Sequence, residues 1–165
     1  MIKKLYLLSN RIICNQFQNL IIMETIKHLK IGDNTTFTKQ IKEEDVVLFA
    51  KISGDDNPVH LDEEYAKGTM FKQRIAHGFL VGSLISAAIA KNLPGNGTIY
   101  LSQNLKFTAP VYLNDTITAY LEVLEFPKGS QVVLSTVCKN QEGKTVIEGT
   151  ALVMAPKTIE LQKSV

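Results

Sequence analysis

His77-Gly-Phe-Leu-Val-Gly-Ser-Leu-Ile-Ser-Ala-Ala-Ile-Ala90 is apolar nearly all round, interrupted only by His77, Ser83 and Ser86. A segment with no polar face belongs inside a protein, so the stretch predicts a buried helix. Pro94-Gly-Asn-Gly97 ends it. Four runs of β type follow, over residues 98–107, 116–126, 132–139 and 145–153, with Asn114-Asp115, Lys128-Gly129 and Glu142-Gly143 as turns. One hydrophobic helix followed by a meander predicts an α+β fold in which an antiparallel sheet wraps around the helix.

Upstream of the helix the chain changes character. Ile31-Gly-Asp-Asn34 is a turn signal, and residues 35–41 alternate like a short strand. Residues 42–52 read as a helix, with Val46, Phe49 and Ala50 near the 3.6 period and acids in the first turn. Ser53-Gly54 is a C-cap signal that delivers the chain into a loop, Asp55-Asp-Asn-Pro-Val-His60. A short helix over 61–66, capped by Asp62 and ended by Gly68, comes next.

The bulk numbers narrow the possibilities. The chain has 165 residues, 45% of them hydrophobic, which suits one domain with a packed core. A net charge of +2 asks for neither nucleic acid nor a membrane surface. Residues 1–23 carry Lys3, Lys4 and Arg11 and no acid, so the rest of the chain is slightly acidic. That segment is too interrupted by Asn, Gln and Arg to span a membrane. It reads as a targeting peptide, a disordered extension or a start artefact upstream of Met23. The domain is expected over 24–156 and a tail over 157–165. Cys14 and Cys138 have no metal-ligand spacing, which argues for a reducing compartment and an inert, buried Cys138.

Chemistry concentrates between Asp55 and the start of the long helix at Gly78. A carboxylate and an imidazole together can hold a water molecule and move its protons near neutral pH. The glycine that opens the long helix can offer a bare backbone N–H to a developing oxyanion. Each feature also has a plainer reading. Asp55 can cap a turn, His60 can pack in a loop, and Gly78 can serve only a tight helix–sheet contact. Ser86 can bond back to a carbonyl one turn earlier. Asn57 fixes loop geometry through its side chain, and His77 orients the loop by a hydrogen bond. Lys72, Gln73 and Arg74 form either a solvated loop or a contact for phosphates or an acidic protein. Neither zinc-ligand spacing nor a phosphate loop occurs.

Gly54-Asp-Asp-Asn-Pro-Val-His60, followed by Ala76-His-Gly-Phe-Leu-Val-Gly-Ser-Leu-Ile-Ser86, resembles the MaoC-like, (R)-specific enoyl-CoA hydratase family over residues 29 to 155. Gln103-Asn-Leu-Lys-Phe-Thr-Ala-Pro-Val-Tyr-Leu-Asn-Asp115 fits the strand and turn that the family has after its helix. The resemblance implies a hot-dog fold and a homodimer. It also implies hydration of trans-2-enoyl thioesters to (3R)-hydroxyacyl thioesters, without metal or redox cofactor. By motif match Asp55 and His60 are the catalytic pair, Gly78 the oxyanion donor and Ser86 a substrate-site hydroxyl. The thiol carrier is expected to be coenzyme A or acyl carrier protein. The compartment is expected to be cytoplasmic, or mitochondrial if residues 1–23 are a transit peptide. A hot-dog thioesterase and a catalytically silent acyl-thioester binding module are the rival readings, because a fold does not fix a function.

Overall fold

A computed structural model describes residues 29–156 of the chain; the expectations for 1–23 and for the tail over 157–165 lie outside the described residues. Strand β1 (Asn34–Gln40) leads into helix α1 (Glu43–Ser53), whose first turn holds Glu43, Glu44 and Asp45 and whose inner face buries Val46 and Ala50. Acids in a first turn complement the positive end of the helix dipole. Two short helices, α2 (Pro58–Leu61) and α3 (Glu63–Gly68), precede the long α4 (Gly78–Lys91). Strands β2 (Ile99–Phe107), β3 (Thr116–Glu125), β4 (Gln131–Lys139) and β5 (Thr145–Met154) complete the order.

The five strands form one antiparallel sheet in the order β1-β3-β4-β5-β2. Helix α4 packs against β1, β3 and β4, burying Leu80, Val81, Leu84, Ile85, Ala88 and Ile89. The facing residues come from strict alternation, as in β4, where Val132, Leu134, Thr136 and Cys138 are all buried. Each such aliphatic side chain contributes about 1.5–3 kcal/mol on leaving water, which is why this helix cannot sit elsewhere. Among the described residues no helix is long and apolar enough to cross a membrane.

Most elements fall within two residues of their expected bounds, with one exception. Residues 58–60, which read as loop in the sequence, belong instead to the single turn of α2. Asn57 causes it: its side-chain oxygen accepts the Val59 N–H at 3.2 Å, and Pro58 at the first helical position brings a preset φ. Asp62 caps α3 in the same way through the Tyr65 N–H. The acidic cluster Asp62-Glu-Glu64 is therefore a helix start.

Candidate active site

Gly54 sits in the left-handed region, φ 78°, and turns the chain out of α1 while its N–H still bonds to the Ala50 carbonyl. The loop that follows ties itself to its own side chains. The Asp55 N–H donates to Ser53 Oγ at 3.1 Å, and the Asn57 N–H donates to Asp55 Oδ1 at 3.4 Å. Helix α2 then carries His60 inward, to 9% exposure, while Asp55 stays at the solvent side.

His60 is held by one bond. Its Nδ1–H donates to the Ile75 carbonyl at 2.8 Å, which fixes the tautomer and leaves the Nε2 lone pair free. His77, 2% exposed, donates from Nε2–H to the main-chain carbonyl of Asp55 at 2.9 Å. Its Nδ1 is buried with no hydrogen-bond partner among the described residues. The two imidazoles stack with ring centroids 3.8 Å apart and planes 32° apart, and Phe49 covers the His77 ring at 4.9 Å.

Side-chain atoms of Asp55, His60 and His77 lie within 4.8 Å of one another. One water oxygen making two ordinary hydrogen bonds spans that gap between a carboxylate and an imidazole. Burial lowers the pKa of His60 below 6.5, and His77 pushes the same way; the bond to Ile75 and the Asp55 carboxylate oppose the shift. The group is therefore a neutral imidazole near pH 7, as a base needs to be.

A cavity of about 440 Å³ opens beside this pair, lined among others by His60, Phe71, Gly78, Phe107, Val111 and Ile147. Gly78 is the first residue of α4, so its N–H has no partner within the helix. His60 and Gly78 thus face one apolar space from two elements. Asp55 and Ser86 are outside the lining, and Ser86 is exposed two turns along α4.

Three features escaped the sequence reading. Phe107 approaches Gly78 so closely that a Cβ on the glycine would stand 2.7 Å from its ring. Phe49 and Ile75 hold the two imidazoles. Arg74, read as loop or as a phosphate contact, is an internal strut at 14% side-chain exposure. It reaches Glu43 at 2.6 Å, Glu63 at 3.8 Å and the Leu61 carbonyl at 3.2 Å. No spacing rule points to such contacts, because each joins residues far apart in the chain.

A sheet wrapped around one buried helix, with an Asp/His pair at the helix start, defines a hot-dog fold of the hydratase type. The model of the MaoC like domain family matches residues 27–147, and the chain belongs to that family. It is 45% identical over 137 residues to an (R)-specific enoyl-CoA hydratase of Rhodospirillum rubrum, covering 82% of this chain and 94% of that one. It is 37% identical over 140 residues to a mitochondrial 3-hydroxyacyl-[acyl-carrier-protein] dehydratase of Arabidopsis thaliana, covering 82% and 83%. The unliganded R-hydratase PhaJ1 of Pseudomonas aeruginosa superposes with a TM-score of 0.76 at 53% identity, over 81% of this chain and 86% of that one.

Proposed function

We propose that this protein is a hydro-lyase that interconverts trans-2-enoyl thioesters and (3R)-hydroxyacyl thioesters, carried by one domain over 24–156. The observation that carries the reading is the meeting of His60 and Gly78 on one apolar cavity with Asp55 within one water of His60. In the hydration direction Asp55 and His60 hold the water. As its oxygen bonds to C3, the pair takes one proton from it. The C2–C3 π electrons move toward the thioester oxygen, where the Gly78 N–H meets the developing charge. C2 then takes a proton from the same pair, restoring the carbonyl. Hydroxyl adds to C3 and hydrogen to C2 with no net change of oxidation state, so the step needs no redox cofactor. A positioned acid or base contributes about 10²–10⁴-fold, and one oxyanion donor about 3 kcal/mol. Asn57 and His77 hold the loop that aims the carboxylate.

The substrate class follows the relatives, whose names include both CoA and acyl-carrier-protein thioesters. The (R) outcome also rests on that kinship. A homodimer suits the sheet, since β2 is an edge strand with Ile99, Tyr100 and Leu101 exposed, and bare apolar edges are covered in stable proteins. The reading places the protein in the cytoplasm, or in mitochondria where residues 1–23 act as a transit peptide.

The test is spectrophotometric. Crotonyl-CoA and its carrier-protein counterpart should lose enoyl absorbance without releasing thiol. Asp55→Asn and His60→Ala should each lower kcat at least about 10²-fold in folded protein. Thiol release at the rate of substrate loss would mark a thioesterase, and near-normal turnover in either variant would remove the pair from the mechanism.

A further inference from the structure

The geometry points to Phe107 as a specificity-determining residue, one that narrows the site beside the thioester carbonyl and selects enoyl thioesters unbranched at C2. This inference rests on the hydratase reading and adds to it the shape of substrate that the site admits.

The observation is a close approach between two elements. An ideal Cβ built on Gly78 would lie 2.7 Å from Phe107 Cε1, 2.9 Å from Cδ1 and 3.2 Å from Cζ. The ring therefore occupies the space that a side chain at position 78 would take. Cα–Cβ bonds of a helix lean toward its N-terminus, the same end to which the unpaired N–H groups of the first turn point. A ring in the Cβ space of Gly78 accordingly flanks whatever oxygen the Gly78 N–H holds. In a conjugated enoyl thioester the atoms beside that oxygen are the carbonyl carbon, the sulfur and C2. A methyl group on C2 would compete with the ring for this space.

Phe107 is anchored through its main chain at the end of β2, and the residue is 47% exposed where it lines the cavity. It pairs with Ile147 across the sheet, and the next residue, Thr108, donates its N–H to the Val146 carbonyl at 2.9 Å and its hydroxyl to the Thr145 carbonyl at 2.8 Å. Phe79 meets the ring edge-on, centroids 5.6 Å apart and planes at 69°, from the first turn of α4. Deeper in, the cavity is walled by Val81, Val111 and Ile147, all nearly fully buried. The chain thus sets an aromatic wall at the reacting end and aliphatic walls below.

The experiment compares kcat/KM for crotonyl-CoA and for (E)-2-methylbut-2-enoyl-CoA in the full-length protein, Phe107→Leu and Phe107→Ala, with thermal midpoints recorded for each. The ratio of branched to unbranched turnover is expected to rise at least tenfold in Phe107→Ala and by an intermediate factor in Phe107→Leu. A loss of structure would lower both rates together, so the ratio isolates the wall. The leucine variant, a milder change, carries the test if alanine unfolds the protein. A ratio within twofold of the parent in an active variant overturns the assignment of Phe107 and leaves the hydratase reading standing. A parent protein inert toward every enoyl thioester overturns the hydratase reading, and the inference falls with it.

Discussion

His60 and His77 lie face to face, 3.8 Å between ring centroids, and each gives one N–H to a main-chain carbonyl of the loop around them. The pair behaves as one unit: a proton added to His60 would sit buried against a second imidazole. This arrangement, more than any single contact, decides how the site should respond to acid.

The acid limb of kcat/KM should fall below pH 6.5, the ordinary imidazole value, because burial, and to a smaller degree the neighbouring His77, lowers the pKa of His60. In the proposed mechanism the neutral form of His60 is the active one, so the limb follows the lowered value. The sign for stability is the same. Between the folded value and 6.5 the unfolded chain binds the extra proton, so stability rises with pH through that window. Below it the penalty is fully present. A pH profile of kcat/KM with a limb at or above 6.5 would contradict the buried, neutral His60.

His77 is expected to act through its neighbours. Replacing it by alanine removes the N–H that anchors the Asp55 carbonyl and the ring that backs His60, and should lower kcat about 10–100-fold with KM little changed. His77→Gln restores a donor of similar reach and should recover part of kcat. In both variants the acid limb should move toward 6.5, since one cause of the lowered pKa is gone. A merely structural histidine would affect the thermal midpoint without moving the pH profile.

The parts of this protein that were legible in its sequence are those set by local physics. The apolar run over α4 has no polar face to expose, so its burial follows from the residues alone. Asp55, Asn57, Pro58 and His60 lie close enough in the chain that their turn chemistry brings them together. Strand order is different. That β1 lies beside β3, and β2 at the far edge beside β5, depends on pairings between distant segments that alternation does not specify. Phe107 and Gly78 illustrate the same limit: each has a local reading, as strand end and helix start, and only the fold sets one against the other. Arg74 reads as a loop cation in the sequence because its partners, Glu43 and Glu63, belong to other elements.

Ser86→Ala should cost less than about tenfold in kcat/KM. The hydroxyl lies outside the cavity lining and is exposed, so it has neither a desolvated partner nor a place on the reacting atoms of the protomer. An exposed hydrogen bond contributes about 0.5–1.5 kcal/mol net, which is within that range of rate. A loss of 10²-fold or more would show that Ser86 bonds to substrate in the assembled enzyme, and the kcat-against-KM split would then say at which stage.

Gly78 faces the Phe107 ring and is the proposed oxyanion donor, and a double variant separates the two constraints. Gly78→Ala keeps the backbone N–H but drives its methyl to within 2.7 Å of the Phe107 ring, a distance that real Cβ contacts do not tolerate. The single variant should therefore lose at least about 10²-fold in kcat, as helix start or ring is displaced and the donor leaves its line. Removing the obstruction in Gly78→Ala/Phe107→Ala should return much of that loss, because the N–H can resume its place at the first turn of α4. Steady-state kinetics on crotonyl-CoA for the two singles and the double give the coupling directly. Recovery means that the cost of alanine is steric and the donor itself is intact. A double variant as slow as the single would place the fault in the substrate's own approach to the glycine, where any Cβ stands in the way of the thioester.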